Sequence, residues 1–128
     1  ELFISGWHAV EREFVWSTGF AAIKLKKGTG ASRRIRLEIK AQCNLASHIA
    51  GNQTINVFIK GFEEQNAKWE IGLKSEVHFV NFEFPRGKET VEIIFQSLNP
   101  LIPKNIGINL DSRELGFQLE RLSISNFD

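Results

Sequence analysis

The feature that most constrains the fold is a strict alternation of apolar and polar residues over positions 34–43. Ile35, Leu37 and Ile39 alternate there with arginine, glutamate and lysine. Successive side chains of an extended strand point to opposite sides, so this period of two places one face against a core and the other in water. The segment therefore predicts a β-strand that is buried on one face.

The same alternation returns further along the chain. Residues 55–59, 69–73 and 91–95 also separate apolar from polar side chains, and glycine or asparagine lies between the runs. This spacing predicts an all-β chain, an antiparallel β-sandwich of jelly-roll type with about eight strands. The side chains expected in its core are Ile35, Leu37, Ile39, Ile55, Val57, Ile59, Val91, Ile93 and Phe95.

Two segments depart from simple alternation. Residues 77–84 carry apolar side chains in both phases, which predicts a strand that is covered on both faces. Near the end of the chain the apolar phase shifts by one residue, which predicts a β-bulge near Glu120-Arg121. Helix is expected to be nearly absent, and residues 43–52 and 97–105 are expected to form irregular connections.

Length and composition favour one soluble domain over residues 1–128. No apolar run approaches the roughly 20 residues that a membrane helix needs, so we expect no membrane insertion. A formal net charge of +1 does not favour a nucleic-acid partner, which would require a strongly basic surface. Because the sequence contains no methionine, we expect an excised domain or a processed product.

Signatures of catalysis and of cofactors are missing from the sequence. There is no Gly-x-Ser-x-Gly turn and no phosphate-binding glycine loop, and His8, His48 and His78 are scattered. Lone Cys43 cannot form an internal disulfide, and its apolar phase predicts a buried, unreactive thiol. We therefore expect no enzyme activity, no metal and no cofactor, with a small hydrolase as the weakest alternative.

The tryptophans are the first candidates for ligand binding. Sugars expose apolar C–H faces that dock flat on an indole, so an exposed Trp with polar neighbours would suit a carbohydrate. Trp16 and Trp69 lie in apolar phases, which predicts that they belong to the core. Trp7 lies beside His8 and near Glu11, and it either closes one end of the sandwich or lines a cleft.

Basic residues are the second candidates. Lys24 and Lys26 lie in the polar phase of one predicted strand, and Arg34 and Arg36 lie in that of the next. If these strands pair, four cations face one another and weaken the sheet. Either neighbouring carboxylates compensate for this repulsion, or the cations bind an anionic glycan, a phosphate or an acidic partner.

Arg113 is a further candidate, in the tail segment 109–116. In an extended strand its side chain shares a face with that of Asp111, two residues earlier. A structural ion pair is the first expectation, and a contact from Arg113 to a ligand is the alternative.

Both ends of the chain resemble a known family. The patterns that carry the resemblance are Gly6-Trp7, Glu11, Trp16-Ser17 and 22–25 at the N-terminal end, and Asp111-Ser112-Arg113-Glu114-Leu115-Gly116-Phe117 near the C-terminus. They are similar to small β-sandwich domains appended to bacterial surface-polysaccharide glycosyltransferases. The resemblance implies a non-catalytic accessory domain, like a carbohydrate-binding module, that works beside a transferase.

We therefore predict a module that recognises or positions a glycan. Its partners would be a glycan or the catalytic domain of the same polypeptide, in the bacterial cytoplasm and, through its host enzyme, at the inner face of the membrane. The alternative is a structural or homo-oligomerising sandwich in which exposed Phe58 or Phe82 buries against a partner. The candidate ligand-binding residues are Trp7, His8, Glu11, Lys24, Lys26, Arg34, Arg36 and Arg113.

Overall fold

The structure is a computed structural model that describes residues 3–11, 13–27, 33–49 and 51–126. These residues form eight β-strands and two short 3₁₀ helices, which lie in the two connections that the sequence predicts to be irregular. The strands are β1 (Phe3–Trp7), β2 (Val15–Lys26), β3 (Arg34–Gln42), β4 (Gln53–Ile59), β5 (Phe62–Ile71), β6 (Glu76–Glu83), β7 (Thr90–Ser97) and β8 (Gln118–Asn126), and the helices are Ala46–His48 and Pro103–Ile106.

The strands pair antiparallel in two sheets that share β2. The first sheet contains β5, β4, β7 and the end of β2, with β1 added along β2. The second sheet contains the start of β2, then β8, β3 and β6. Residues 20–26 of β2 pair with β7, whereas Val15 and Trp16 pair with β8, so β2 passes from one sheet to the other.

The inner faces of the two sheets meet in one hydrophobic core. All of the predicted core side chains are buried and belong to the same cluster, which confirms the predicted strand phases. Trp16 and Trp69 are also buried, as predicted. Cys43 is buried as well, and desolvation raises the pKa of its thiol, which disfavours the reactive thiolate. The all-β jelly-roll prediction is confirmed.

The phase shift in the tail is the predicted β-bulge. Lys40 of β3 is paired with Arg121 of β8, but the next residue, Ala41, is paired with Leu119. Glu120 is therefore the extra residue on β8, and the bulge switches which side chains of β8 point to the core.

The prediction that residues 77–84 are covered on both faces is wrong. Val77 and Phe79 are each 50% exposed, whereas Val80 and Phe82 are buried. The reason is that the second sheet packs on the core through one face only, so Val80 and Phe82 point inward and Val77 and Phe79 point to the solvent side. Phe82 thus points inward and cannot pack against a partner chain, whereas Phe58 is half-buried.

Side chains of β5 satisfy backbone groups of the edge strand β6. The amide of Gln65 donates to the carbonyl oxygen of Glu83 at 2.8 Å and accepts from its N–H at 2.7 Å. Trp69 Nε1 donates to the carbonyl oxygen of Phe79 at 3.1 Å. These bonds close one side of the sandwich and occupy backbone groups that could otherwise pair with another chain.

Within the described ranges, no helix is long and apolar enough to cross a membrane.

Candidate functional site

The predicted ladder of four cations does not form. Strand β2 pairs with β1, β7 and β8, and β3 pairs with β6 and β8. Lys24 and Lys26 therefore lie on the first sheet, and Arg34 and Arg36 lie on the second. The prediction is wrong because β8, from the far end of the sequence, lies between the two strands. The loop 28–32, which would have been their turn, is outside the described residues.

Arg36 is held on the outer face of the second sheet. Its guanidinium carbon lies 3.9 Å from the centroid of the Phe79 ring, and its Nε lies 4.0 Å from a carboxylate oxygen of Glu38. A carboxylate of the same strand thus lies near this cation. The aromatic contact covers part of an otherwise exposed ring.

Trp7 closes one end of the sandwich. Its Nε1 donates to the carbonyl oxygen of Ala22 at 2.9 Å, and its half-buried ring packs edge-on against Phe3, Phe95 and Phe117. Because its N–H is hydrogen-bonded and its ring is packed against other aromatic rings, the indole offers little free surface to a sugar. Of the two sequence alternatives, the structure supports the closing role.

His8, Glu11 and Arg113 join the two ends of the chain. Arg113 Nη1 lies 3.1 Å from Glu11 Oε2, and its Nη2 lies 2.8 Å from Asp111 Oδ2. The Nε2 of His8 lies 2.7 Å from the carbonyl oxygen of Glu114. The structural ion pair predicted between Asp111 and Arg113 is confirmed, and it extends to a second carboxylate from the N-terminal segment.

The Arg113 contact makes folding stability depend on pH. Hydrogen bonds from the Arg113 side chain, and then from its backbone N–H, lower the pKa of Asp111 from 3.8 to about 2. When the pKa of a carboxyl group is lower in the folded state than in the unfolded state, the group stabilises the fold at pH values above its unfolded pKa. This contribution is lost as the pH falls through the folded pKa. Here the loss begins near pH 4 and is complete below about pH 2.

Asp111→Asn is expected to lower the free energy of unfolding at neutral pH, and its difference from the wild type should shrink as pH falls toward about 2. Urea denaturation at a series of pH values measures this. The control is the same substitution in an Arg113→Ala background, where the pH-dependent difference should largely disappear. A difference that stays constant from pH 5 to about 2 would contradict this account of the ion pair.

A row of four side chains crosses the outer face of the first sheet. Phe20 of β2 is paired with Gln96 of β7, Gln96 with Asn56 of β4, and Asn56 with Lys68 of β5. Paired residues of neighbouring strands point to the same face, so these side chains form one line about 14 Å long. We call Phe20, Gln96, Asn56 and Lys68 the cross-strand row.

The side chains of the cross-strand row are available to a ligand. Phe20 is 55% exposed although it is a large aromatic residue. The amides of Gln96 and Asn56 make no side-chain hydrogen bond to any described residue, so their donors and acceptors meet solvent. Beside them, Thr54 donates from Oγ1 to a carboxylate oxygen of Glu70 at 2.9 Å.

The next row of paired residues on this face is apolar. Ala22 and Ile94 are paired, and they point outward because their strand neighbours lie in the core cluster. They are nevertheless only 3% and 2% exposed, with half-buried Phe58 paired to Ile94 on the other side. Side chains around them therefore cover both residues almost completely.

This face is not among the sites predicted from the sequence. Gln96 and Asn56 lie in polar phases, where exposure to solvent is ordinary, and neither they nor Phe20 are among the predicted binding residues. The available signal was an aromatic residue in the polar phase: Phe20 and Phe58 alternate with core residues, where a polar side chain is expected. No group of three or more His, Cys, Asp or Glu side chains arranged to hold a metal ion occurs among the described residues.

Comparisons with known proteins find likeness in structure alone. No family model matches the chain, and no curated protein matches it in sequence. The chain resembles in structure part of the family GH115 4-O-methyl-α-glucuronidase BtGH115A, described as specific for decorated arabinogalactans, with a TM-score of 0.59 and 10% identity. That match covers 90% of this chain but 14% of the glucuronidase.

A second solved structure is similar over nearly the whole chain. It is a CBM4 module, matched with a TM-score of 0.50 and 13% identity, and the match covers 97% of this chain and 80% of the module. At such low identity the likeness concerns the fold and not the residues of a site. The chain is an all-β jelly roll with the architecture of a carbohydrate-binding module.

Proposed function

We propose that this chain is a non-catalytic glycan-binding module whose ligand lies along the cross-strand row. The observation that carries the proposal is the alignment of the exposed Phe20 ring with the amides of Gln96 and Asn56, which make no side-chain hydrogen bond to a described residue. A sugar ring presents an apolar C–H face and a rim of hydroxyls. The aromatic ring matches the first, and amides that both donate and accept match the second.

The shape of the face supports an extended ligand. The cross-strand row runs perpendicular to the strands over about 14 Å, a length suited to a short oligosaccharide and not to a single small molecule. The shared architecture with a carbohydrate-binding module is consistent with this use.

The host of the module is proposed from the sequence resemblance. We propose that the module works beside the catalytic domain of a bacterial polysaccharide-assembly glycosyltransferase and positions the growing glycan. The cytoplasmic setting, the absence of enzyme activity and any homo-oligomer stay predictions. Of the residues first named for ligand binding, Trp7, His8, Glu11 and Arg113 hold the chain ends together in the structure, so we do not include them in the proposed face.

Phe20→Ala is expected to weaken glycan binding about tenfold or more, because it removes the aromatic platform. The experiment first screens the chain on a glycan array and then titrates the strongest ligand by calorimetry. Because Phe20 is exposed, the variant should remain folded, which circular dichroism checks.

Phe79→Ala is the matched control for this experiment. Phe79 is a phenylalanine of nearly equal exposure, 50% against 55%, but it lies on the outer face of the second sheet. Its removal should leave affinity unchanged. If Phe79→Ala weakens binding and Phe20→Ala does not, the proposed face is wrong; if no glycan binds the folded chain, the proposed function is wrong.

A further inference from the structure

Three lysines meet in a cavity at one end of the outer face of the first sheet. Lys24 comes from the end of β2, Lys60 follows β4, and Lys88 lies in the turn before β7. The cavity has a volume of about 280 Å³ and is also lined by Phe62, Thr90 and Glu92. We call Lys24, Lys60 and Lys88 the lysine pocket.

The described side chains that line the lysine pocket carry more positive than negative charge. Among the described residues, Glu92 is the one carboxylate that lines the cavity, and its Oε2 lies 4.0 Å from Lys60 Nζ. Lys24 is paired with Glu92 in the strand register, yet neither it nor Lys88 makes an ion pair with any described residue. Three ammonium groups thus share one carboxylate, which leaves a net charge of about +2 and favours an anion.

The lysine pocket is continuous with the proposed glycan face. Lys24 follows Phe20 by four residues on the same side of β2, about 14 Å along the strand. Between them on this face lie Ala22 and Ile94, which are almost fully covered by their neighbours. A glycan that crosses the sheet at Phe20 can therefore place a neighbouring residue or a side branch in the pocket.

We propose that the lysine pocket is a subsite for a carboxylate-bearing sugar, so that the ligand of this module is a uronate-containing glycan. The inference rests on the glycan-binding function proposed above and specifies its substrate class. The lysines supply charge-assisted hydrogen bonds to the carboxylate. The half-buried Phe62 ring and the Thr90 hydroxyl offer an apolar surface and a hydrogen-bonding group to the sugar ring that carries it.

The test uses an array that contains uronate glycans together with the same glycans after methyl esterification of their carboxyl groups. The full chain is expected to bind the acidic form at least tenfold more tightly than the esterified form. For the best acidic ligand, raising NaCl from about 0.1 M to about 1 M should remove this preference, because the screening length falls from about 10 Å to about 3 Å.

The triple variant Lys24→Ala, Lys60→Ala, Lys88→Ala is expected to bind the acidic form at least tenfold more weakly and to keep its affinity for the esterified form. The control variant removes three lysines outside the pocket, Lys40→Ala, Lys74→Ala and Lys104→Ala, and so changes net charge equally. It should retain the preference for the acidic form.

The outcomes separate the two proposals. Equal losses in both triple variants, equal binding of acidic and esterified forms, or an unaffected pocket variant would each overturn the uronate subsite. If binding is then still lost in Phe20→Ala, the glycan-binding function stands without the subsite. If no glycan binds, both proposals fall.

Discussion

Phe95→Ala is expected to lower the free energy of unfolding by about 3–5 kcal/mol, as is typical when a fully buried phenylalanine is truncated. Phe95 lies in β7 and is 0% exposed. Its ring centroid is 5.8 Å from that of Trp7, 6.1 Å from that of Trp69 and 6.0 Å from that of Phe117. It thus lies at the centre of the aromatic cluster that links the two sheets.

The cavity left by Phe95→Ala should not refill, because its large neighbours are held by their own hydrogen bonds. Trp7 Nε1 is bound to the carbonyl oxygen of Ala22, and Trp69 Nε1 to that of Phe79. An indole cannot shift toward the gap without breaking such a bond, so most of the cavity cost remains.

Urea denaturation followed by tryptophan fluorescence measures this loss. Two of the tryptophans contact Phe95, so the emission of the folded variant should change as well. Phe79→Ala serves as the control, since its side chain is half exposed, and it should cost about 1 kcal/mol or less. A loss below about 1 kcal/mol for Phe95→Ala would show that the core collapses around the gap and would contradict this account of the cluster.

The sequence could predict which side chains point inward because that information is local. The alternation of Ile35, Leu37 and Ile39 with charged residues fixes the phase of β3 without reference to its partners. The bulge at Glu120 was visible for the same reason, as a phase shift within one strand. The pattern failed for Val77 and Phe79 because an apolar outer face is covered only where a further layer of the fold packs on it, and the composition of one strand does not show this.

Strand neighbours could not be predicted in this way. Strands that are consecutive in the sequence are often paired, and that expectation predicts that the lysines of β2 face the arginines of β3. In the structure β8 pairs with both β2 and β3. These pairings join the C-terminal end of the chain to its first third. The cross-strand row depends on the same kind of information, because Phe20 and Gln96 meet through a pairing of distant strands.

The end motifs that carried the family resemblance have a structural role here. Glu114 Oε1 accepts a hydrogen bond from the N–H of Gly19 at 2.8 Å, where β2 passes between the sheets. The N–H of Gly116 donates to the carbonyl oxygen of Ser17 at 2.8 Å. These residues fix how the two ends close the sandwich, so a similarity in them reports on the fold. The glycan face proposed above lies on different residues.

Gly6→Ala is expected to be the second strongly destabilising substitution, at about 2–5 kcal/mol. Gly6 in β1 has φ of +79°, a conformation that costs an L-residue about 1–2 kcal/mol. In addition, a Cβ at this position would contact the carbonyl oxygen of Phe20 and lie 2.5 Å from the Cα of Ala21. Both are backbone atoms of β2 and cannot rotate away, so β1 itself must move.

Gly87→Ala separates the two parts of this cost. Gly87 has nearly the same φ, +77°, but a Cβ there would meet no atom within 4 Å. Its substitution should cost only the conformational part, about 1–2 kcal/mol. Urea denaturation should therefore rank Gly6→Ala well below Gly87→Ala in stability, and hydrogen exchange should show faster exchange of the β1 amides in the first variant alone. Equal losses for the two variants would mean that β1 accommodates the extra carbon freely, and that the close packing of β1 on β2 does not contribute to holding Trp7 in place.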